Sequence, residues 1–170
     1  TLKTSTVQRL LSYAKSNIPV DDLLEKIVDE VQLSTKSMIE RWQQSSTLRN
    51  HIELINHAVE RYMEKDYISA TTILYTRIEG IMRDVLQMAN SNKQASAKNL
   101  AETITSQKES SDIGQNILLP RMFHKYLDDV YFRNFNPKQP AEISRHSVAH
   151  GVAKPQDFSV KAATIGLLLL

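Results

Sequence analysis

Two histidines stand four residues apart in the stretch EISRHSVAHGVAKP, residues 142–155, with Arg145 directly ahead of His146 and Gly151 directly after His150. An imidazole titrates near neutrality and can take or deliver a proton. A guanidinium presents a rigid fork of donors that fits the non-bridging oxygens of a phosphate. Together they suit cleavage of RNA. The substrate's own 2′-hydroxyl is the nucleophile, one imidazole moves a proton, and the arginine meets the charge that builds on phosphorus. This chemistry requires neither a metal nor a cofactor. A metal clip is the competing reading, because HSVAH has the i, i+4 histidine spacing of zinc sites. The zincin pattern places Glu straight after the first histidine, where this chain has Ser147, and no third ligand is near. An ordinary helix end, with Arg145 in a surface salt bridge and His150 over a loop, is the other alternative.

The elements that must position these residues read as helices. Glycine and proline are scarce, four and five in 170 residues, and no window alternates in the manner of a hairpin. Residues 4–16 form a short amphipathic segment, and a second helix opens at Asp21 and Asp22, where a helix start favours acids. LRNHIELINHAVERYMEK, residues 48–65, carries an apolar stripe through Leu48, Ile52, Ile55, Ala58, Val59 and Tyr62. Asp66 marks a turn. The next helix, YISATTILYTRIEGIMRDVLQMA, has a wide apolar face through Ala70, Ile73, Leu74, Ile78, Ile81, Met82, Val85 and Leu86. Glu79 lies in this helix among apolar neighbours, four residues before Arg83 in the order that favours an intrahelical ion pair.

Residues 90–111 are polar, with a short helix expected at KNLAETI. A further helix is expected over residues 117–132 and a loop at RNFNPKQPA, residues 133–141. The short helix of RHSVAH follows, stopped by Gly151 as a C-terminal cap. The last helix is expected within residues 154–170, with Asp157 as its cap. Tyr126, Tyr131 and Phe132 are read as packing residues or as a stacking surface for bases, and His51, His57 and His124 as surface or rim residues.

Composition limits the partners. A net charge of +2 does not by itself mark a nucleic-acid binder. The positive charge is concentrated between Arg121 and Lys161, where seven Lys/Arg face four Asp/Glu and three of the five histidines fall. With no cysteine, disulfides, thiolate zinc sites and cysteine nucleophiles are excluded, and a reducing cytoplasm fits. The closing run ATIGLLLL is too short to span a bilayer, which takes ~20 apolar residues, and reads as a buried helix. The chain starts without methionine and stops inside an apolar run, so it is expected to be a fragment of a longer protein or to lack disordered ends.

In this setting the chain resembles the HEPN domains, all-helical modules that carry Arg, four to six residues, then His near the start of a late helix. The first intervening residue there is commonly polar. Here the pattern is Arg145, four residues beginning with His146, then His150. DYISATTILYTRIEGIMRDVL, with Glu79 beside Gly80, resembles the central helix of such domains, and YLDDVYFRNFNP resembles their approach to the motif. The resemblance covers roughly residues 45–170, so residues 1–44 are expected to be an N-terminal helical extension and 45–170 a HEPN-type helical bundle.

The resemblance implies a homodimer whose facing Arg-His motifs form one metal-independent endoribonuclease site, in a bacterial toxin–antitoxin or phage-defence system, with RNA as substrate and an antitoxin or further domain as a possible partner. It implies Arg145 on the scissile phosphate, His150 as general acid/base, His146 in support, and Glu79 holding Arg145. The alternative it leaves open is a silent HEPN-like module that dimerises, regulates or binds a nucleotide without cleaving it.

Overall fold

The computed structural model describes residues 2–88, 95–105, 123–134 and 143–170, and among these every regular element is helical. The helices are α1 Thr4–Lys15, α2 Leu24–Gln44, α3 Ile52–Met63, α4 Tyr67–Met88 and α5 Ala97–Thr105. They are followed by α6, residues 123–131, whose second part Leu127–Tyr131 is π-helical, then α7 Arg145–Ala149 and α8 Val160–Leu169. Single 3-10 turns, Asp21–Leu23 and Arg49–His51, lead into α2 and α3, and a third spans Pro155–Asp157. No described helix is long and apolar enough to cross a membrane. The expected loop at 133–141 and the expected helix start at 117–122 fall almost wholly outside the described residues.

The chain forms two compact units, Thr1–Leu74 with Phe158–Leu170, and Tyr75–Asp157. The first gathers α1, α2, α3, the start of α4 and α8 about Leu23, Ile27, Val31, Ile55, Tyr62 and Leu167, all buried. Full burial of one such aliphatic side chain is worth about 1.5–3 kcal/mol. α2 packs against both α3 and α8. Two polar contacts fix its register. The hydroxyls of Tyr62 and Thr164 lie 2.8 Å apart, both buried. Buried Glu30 accepts from the Lys3 backbone N–H at 2.9 Å and the Thr6 hydroxyl at 2.7 Å, and these bonds, the backbone one foremost, lower its pKa. His51, read as a surface or rim residue, is buried at the end of the 3-10 turn before α3.

Between α3 and α4 the chain passes through Lys65 at φ 63°, and Asp66 then accepts from the Ser69 backbone N–H at 3.1 Å, opening α4 as the turn residue expected from the sequence. The second unit is built on the remainder of α4. Tyr75, Ile78, Met82 and Leu86 are buried on its inner side with Leu100 of α5 and Leu127, Tyr131 and Phe132 of the α6 region. Tyr131 packs on Tyr75 with ring centroids 5.7 Å apart and on Phe132 edge-to-face at 4.8 Å, and its hydroxyl donates to the Tyr75 carbonyl at 2.6 Å. Tyr131 and Phe132 are therefore core, not a stacking platform, whereas Tyr126 is half-buried. His124, at the start of α6, is bonded on both ring nitrogens, to the Thr105 hydroxyl at 2.9 Å and to Asp128 at 3.1 Å, which ties α5 to α6.

Candidate functional site

α7 is only five residues long, too short to persist unaided. Both of its ends are fastened. At the N-terminus Ser144 and Ser147 form a reciprocal capping box. The Ser147 N–H donates to Ser144 Oγ at 3.1 Å, and the Ser144 N–H donates to Ser147 Oγ at 2.9 Å. The Ser144 hydroxyl also lies 3.2 Å from the Arg133 carbonyl, which anchors the cap to the chain leaving α6. At the C-terminus Gly151 takes φ 66°, the left-handed region that a Cβ disfavours. The N–H of Gly151 then reaches the Val148 carbonyl at 3.2 Å and that of Val152 the Ser147 carbonyl at 3.0 Å, a Schellman arrangement. Gly151 is thus the stop expected of it. The serine pair is the feature a sequence reading passes over, and its spacing, three apart just ahead of a short helix, is the signal that reveals it. Asp157 does not cap α8. It accepts from the Lys154 N–H at 2.7 Å and closes the preceding turn, while Ser159 caps the helix through the Ala162 N–H at 3.2 Å.

The fastened helix holds its three chemical residues in distinct environments. His146 and His150 lie on one face, as the i, i+4 spacing requires, with rings stacked 4° from parallel and centroids 5.7 Å apart. His150 is exposed at the helix end and His146 is half-buried. Burial, then the positive charge of Arg145 and the neighbouring His150, push the pKa of His146 down, so its imidazole resists protonation. Arg145 turns the other way, toward α4, and its Nε forms an ion pair with Glu79 Oε2.

Glu79 is the hinge of the arrangement. Its side chain is only 9% exposed, and it serves two arginines at once. Oε1 accepts from Arg83 Nε at 3.0 Å and Nη2 at 2.6 Å, the expected i, i+4 pair, while Oε2 faces Arg145 across 66 residues of sequence. Among the described residues Oε2 has no well-directed hydrogen bond, so the contact with Arg145 is one of charge. The two readings of Glu79, partner of Arg83 or holder of Arg145, are both realised. Beneath it lies Tyr131. Burial, and after it the adjacent Glu79 carboxylate, push the Tyr131 phenol up in pKa, and Arg145 offsets this in part. The phenol stays protonated and serves as a dry floor.

The outer side is open. Arg145 is 24% and Arg83 45% exposed, and no described residue takes the Nη atoms of Arg145. The structure therefore brings Arg145, His146, His150 and Glu79 to one locality and adds Arg83, which sequence reasoning saw only as Glu79's intrahelical partner. No group of three His, Cys, Asp or Glu among the described residues is placed to hold a metal ion. Chemically, the locality offers a fixed guanidinium that can grip a phosphate, beside two imidazoles that differ in exposure. In comparisons with known proteins, the chain matches no family model, no curated protein and no solved structure.

Proposed function

We propose that the chain is a HEPN-type helical domain acting as a metal-independent endoribonuclease, with Arg145 and His150 as its reacting pair, in a cytoplasmic toxin or phage-defence setting. The observation that carries this reading is the division of labour on α7. Arg145 is locked by a buried carboxylate, with no described residue on its Nη atoms, while His150 stands exposed at the capped end of the same five-residue helix. Such fixing supplies orientation in advance of substrate binding.

In the proposed reaction an imidazole removes the proton of the 2′-hydroxyl, and the oxygen attacks the adjacent phosphorus. The P–O5′ bond breaks, and the departing oxygen takes a proton from a second imidazole. The products are a 2′,3′-cyclic phosphate and a 5′-hydroxyl, with no redox change and no water consumed. Arg145 holds the non-bridging oxygens as their charge rises. Two imidazoles in opposite protonation states are needed, and a homodimer that sets two copies of α7 face to face supplies them from His150 of each copy. His146, whose protonated form its half-buried setting disfavours, orients or assists its neighbour.

RNA cleavage in the presence of EDTA tests this directly. Arg145→Ala and His150→Ala are each expected to lower the rate by at least about 10²-fold, the range of a lost proton-transfer group or charge clamp, with the helical circular dichroism unchanged. Equal cleavage by wild type and both variants refutes the proposal. The rival reading is a silent HEPN-like dimerisation or nucleotide-binding module. It is favoured by the same Glu79–Arg145 pair taken as purely structural, and it predicts a folded dimer that leaves RNA intact.

A further inference from the structure

Arg83 has no place in the reaction above, and its setting is unusual for an arginine on a helix surface. It shares a single buried carboxylate with Arg145, one oxygen to each. The two guanidiniums are therefore held side by side, at the separation that one carboxylate and two ion-pair contacts impose. The three groups carry one net positive charge. Each arginine keeps donors in reserve. Arg83 spends Nε and one Nη2 hydrogen on Glu79, and Arg145 spends Nε, while no described residue accepts from the rest. Each thus retains the Nη1/Nη2 end of its fork, the edge that binds a phosphate through two parallel hydrogen bonds. Both side chains reach solvent. Without Glu79 the like charges would repel. With it, they form a stable pair that accepts further anionic charge.

We propose that Arg83 and Arg145 form a two-guanidinium clamp for consecutive phosphates of one RNA strand, Arg145 at the scissile phosphate and Arg83 at its neighbour. This rests on the ribonuclease reading for the identity of the strand. It adds that Arg83 is a substrate-positioning residue, and that the preferred ligand carries at least two adjacent phosphates instead of one.

The test separates binding from cleavage. Binding of a fluorescent, fully 2′-O-methylated RNA oligomer, which has no attacking hydroxyl, is measured by anisotropy from low to high KCl for wild type, Arg83→Ala, Arg83→Lys and Arg145→Ala. Each phosphate contact on a single strand contributes about 0.7 to the slope of log K against log salt. Arg83→Ala is expected to flatten that slope by about 0.7 and weaken binding about tenfold at low salt. Arg83→Lys, which keeps a point charge, is expected to restore the slope. On unmodified RNA, Arg83→Ala is expected to raise KM more than it lowers kcat, whereas Arg145→Ala lowers kcat. An unchanged slope in Arg83→Ala, alongside a flattened one in Arg145→Ala, overturns the clamp and reduces Arg83 to a brace for Glu79. If the slopes shift as stated but wild type leaves unmodified RNA intact, the ribonuclease reading falls and the clamp stands. Absence of RNA binding by wild type overturns both.

Discussion

Replacing Glu79 with glutamine keeps the shape of the side chain and removes the charge that two arginines share. Its cost can be worked from the geometry. The Glu79–Arg83 pair is an i, i+4 pair whose arginine is 45% exposed, so its worth is that of a surface helix pair, about 0.5 kcal/mol. The Glu79–Arg145 pair is deeper, at 9% and 24% exposure. Breaking a buried ion pair costs about 3–5 kcal/mol, and the partial solvent exposure of Arg145 brings this down to about 1–2 kcal/mol. Glu79→Gln is thus expected to cost about 2 kcal/mol locally. The amide adds a further penalty, since its NH2 end must face one of the two guanidiniums.

The decisive quantity is the coupling. In a cycle of Glu79→Gln, Arg145→Ala and the double variant, about 1–2 kcal/mol of interaction energy is expected, because Arg145→Ala removes the partner whose loss makes the glutamine costly. Amide hydrogen exchange read on peptides from α4 beyond Tyr75 and from α7 reports opening of this unit and needs no assumption that the whole chain unfolds in one step. Additive effects within about 0.3 kcal/mol would refute the reasoning, by showing that the two residues do not depend on each other.

Two further outcomes are expected. Because the folded-state pKa of His146 lies below its unfolded value, the unfolded chain binds the proton more readily. Stability is full above about pH 6.5 and falls as pH drops through that value toward the folded pKa. The groups acting on it are Arg145 and His150, which lower the pKa, and Glu79, which raises it. His146→Asn is expected to flatten this part of the stability curve in urea titrations at pH 7.5 and 5.5, and an unaltered slope counts against the assigned environment. In the other unit, Thr164→Val strands the buried Tyr62 hydroxyl and is expected to cost about 1–3 kcal/mol, whereas Tyr62→Phe with Thr164→Val removes both polar groups and recovers most of that loss. Thermal unfolding reads both, and a double variant no more stable than Thr164→Val alone contradicts the pairing.

The helices were legible because their apolar residues repeat with helical period, and of the α4 face read from that repeat Ala70, Leu74, Ile78, Met82 and Leu86 are buried, while Ile73, Ile81 and Val85 at its margins are half-buried. Local spacing likewise places His146 beside His150 and predicts the Glu79–Arg83 pair. What local spacing cannot supply is a contact between distant segments. The Glu79–Arg145 pair spans 66 residues, and no periodicity in either segment encodes it. Cap assignment failed at Asp157 for a related reason. Asp and Ser are both good caps, and only the turn at Pro155–Asp157 decides that the carboxylate is already engaged with Lys154, leaving Ser159 to open α8. His51 lies in a 3-10 turn, where a count based on the α-helical repeat does not apply, and it is buried.

The order of these dependencies bears on how the site works. A five-residue helix contributes little stability of its own, so the position of α7 is set by what grips it from outside: the serine box and its link to the Arg133 carbonyl, the Gly151 stop, and the Glu79–Arg145 pair. The first two of these grips act without using the side chains of His146 and His150. The third consumes one edge of Arg145 and, among the described residues, leaves its Nη atoms without a partner. An arrangement evolved only to hold the helix could use an apolar side chain in place of Arg145 at less desolvation cost, since buried ion pairs are often no better than packed hydrocarbon. The exposed share of Arg145 and the sharing of one carboxylate with Arg83 are what the proposed phosphate clamp requires.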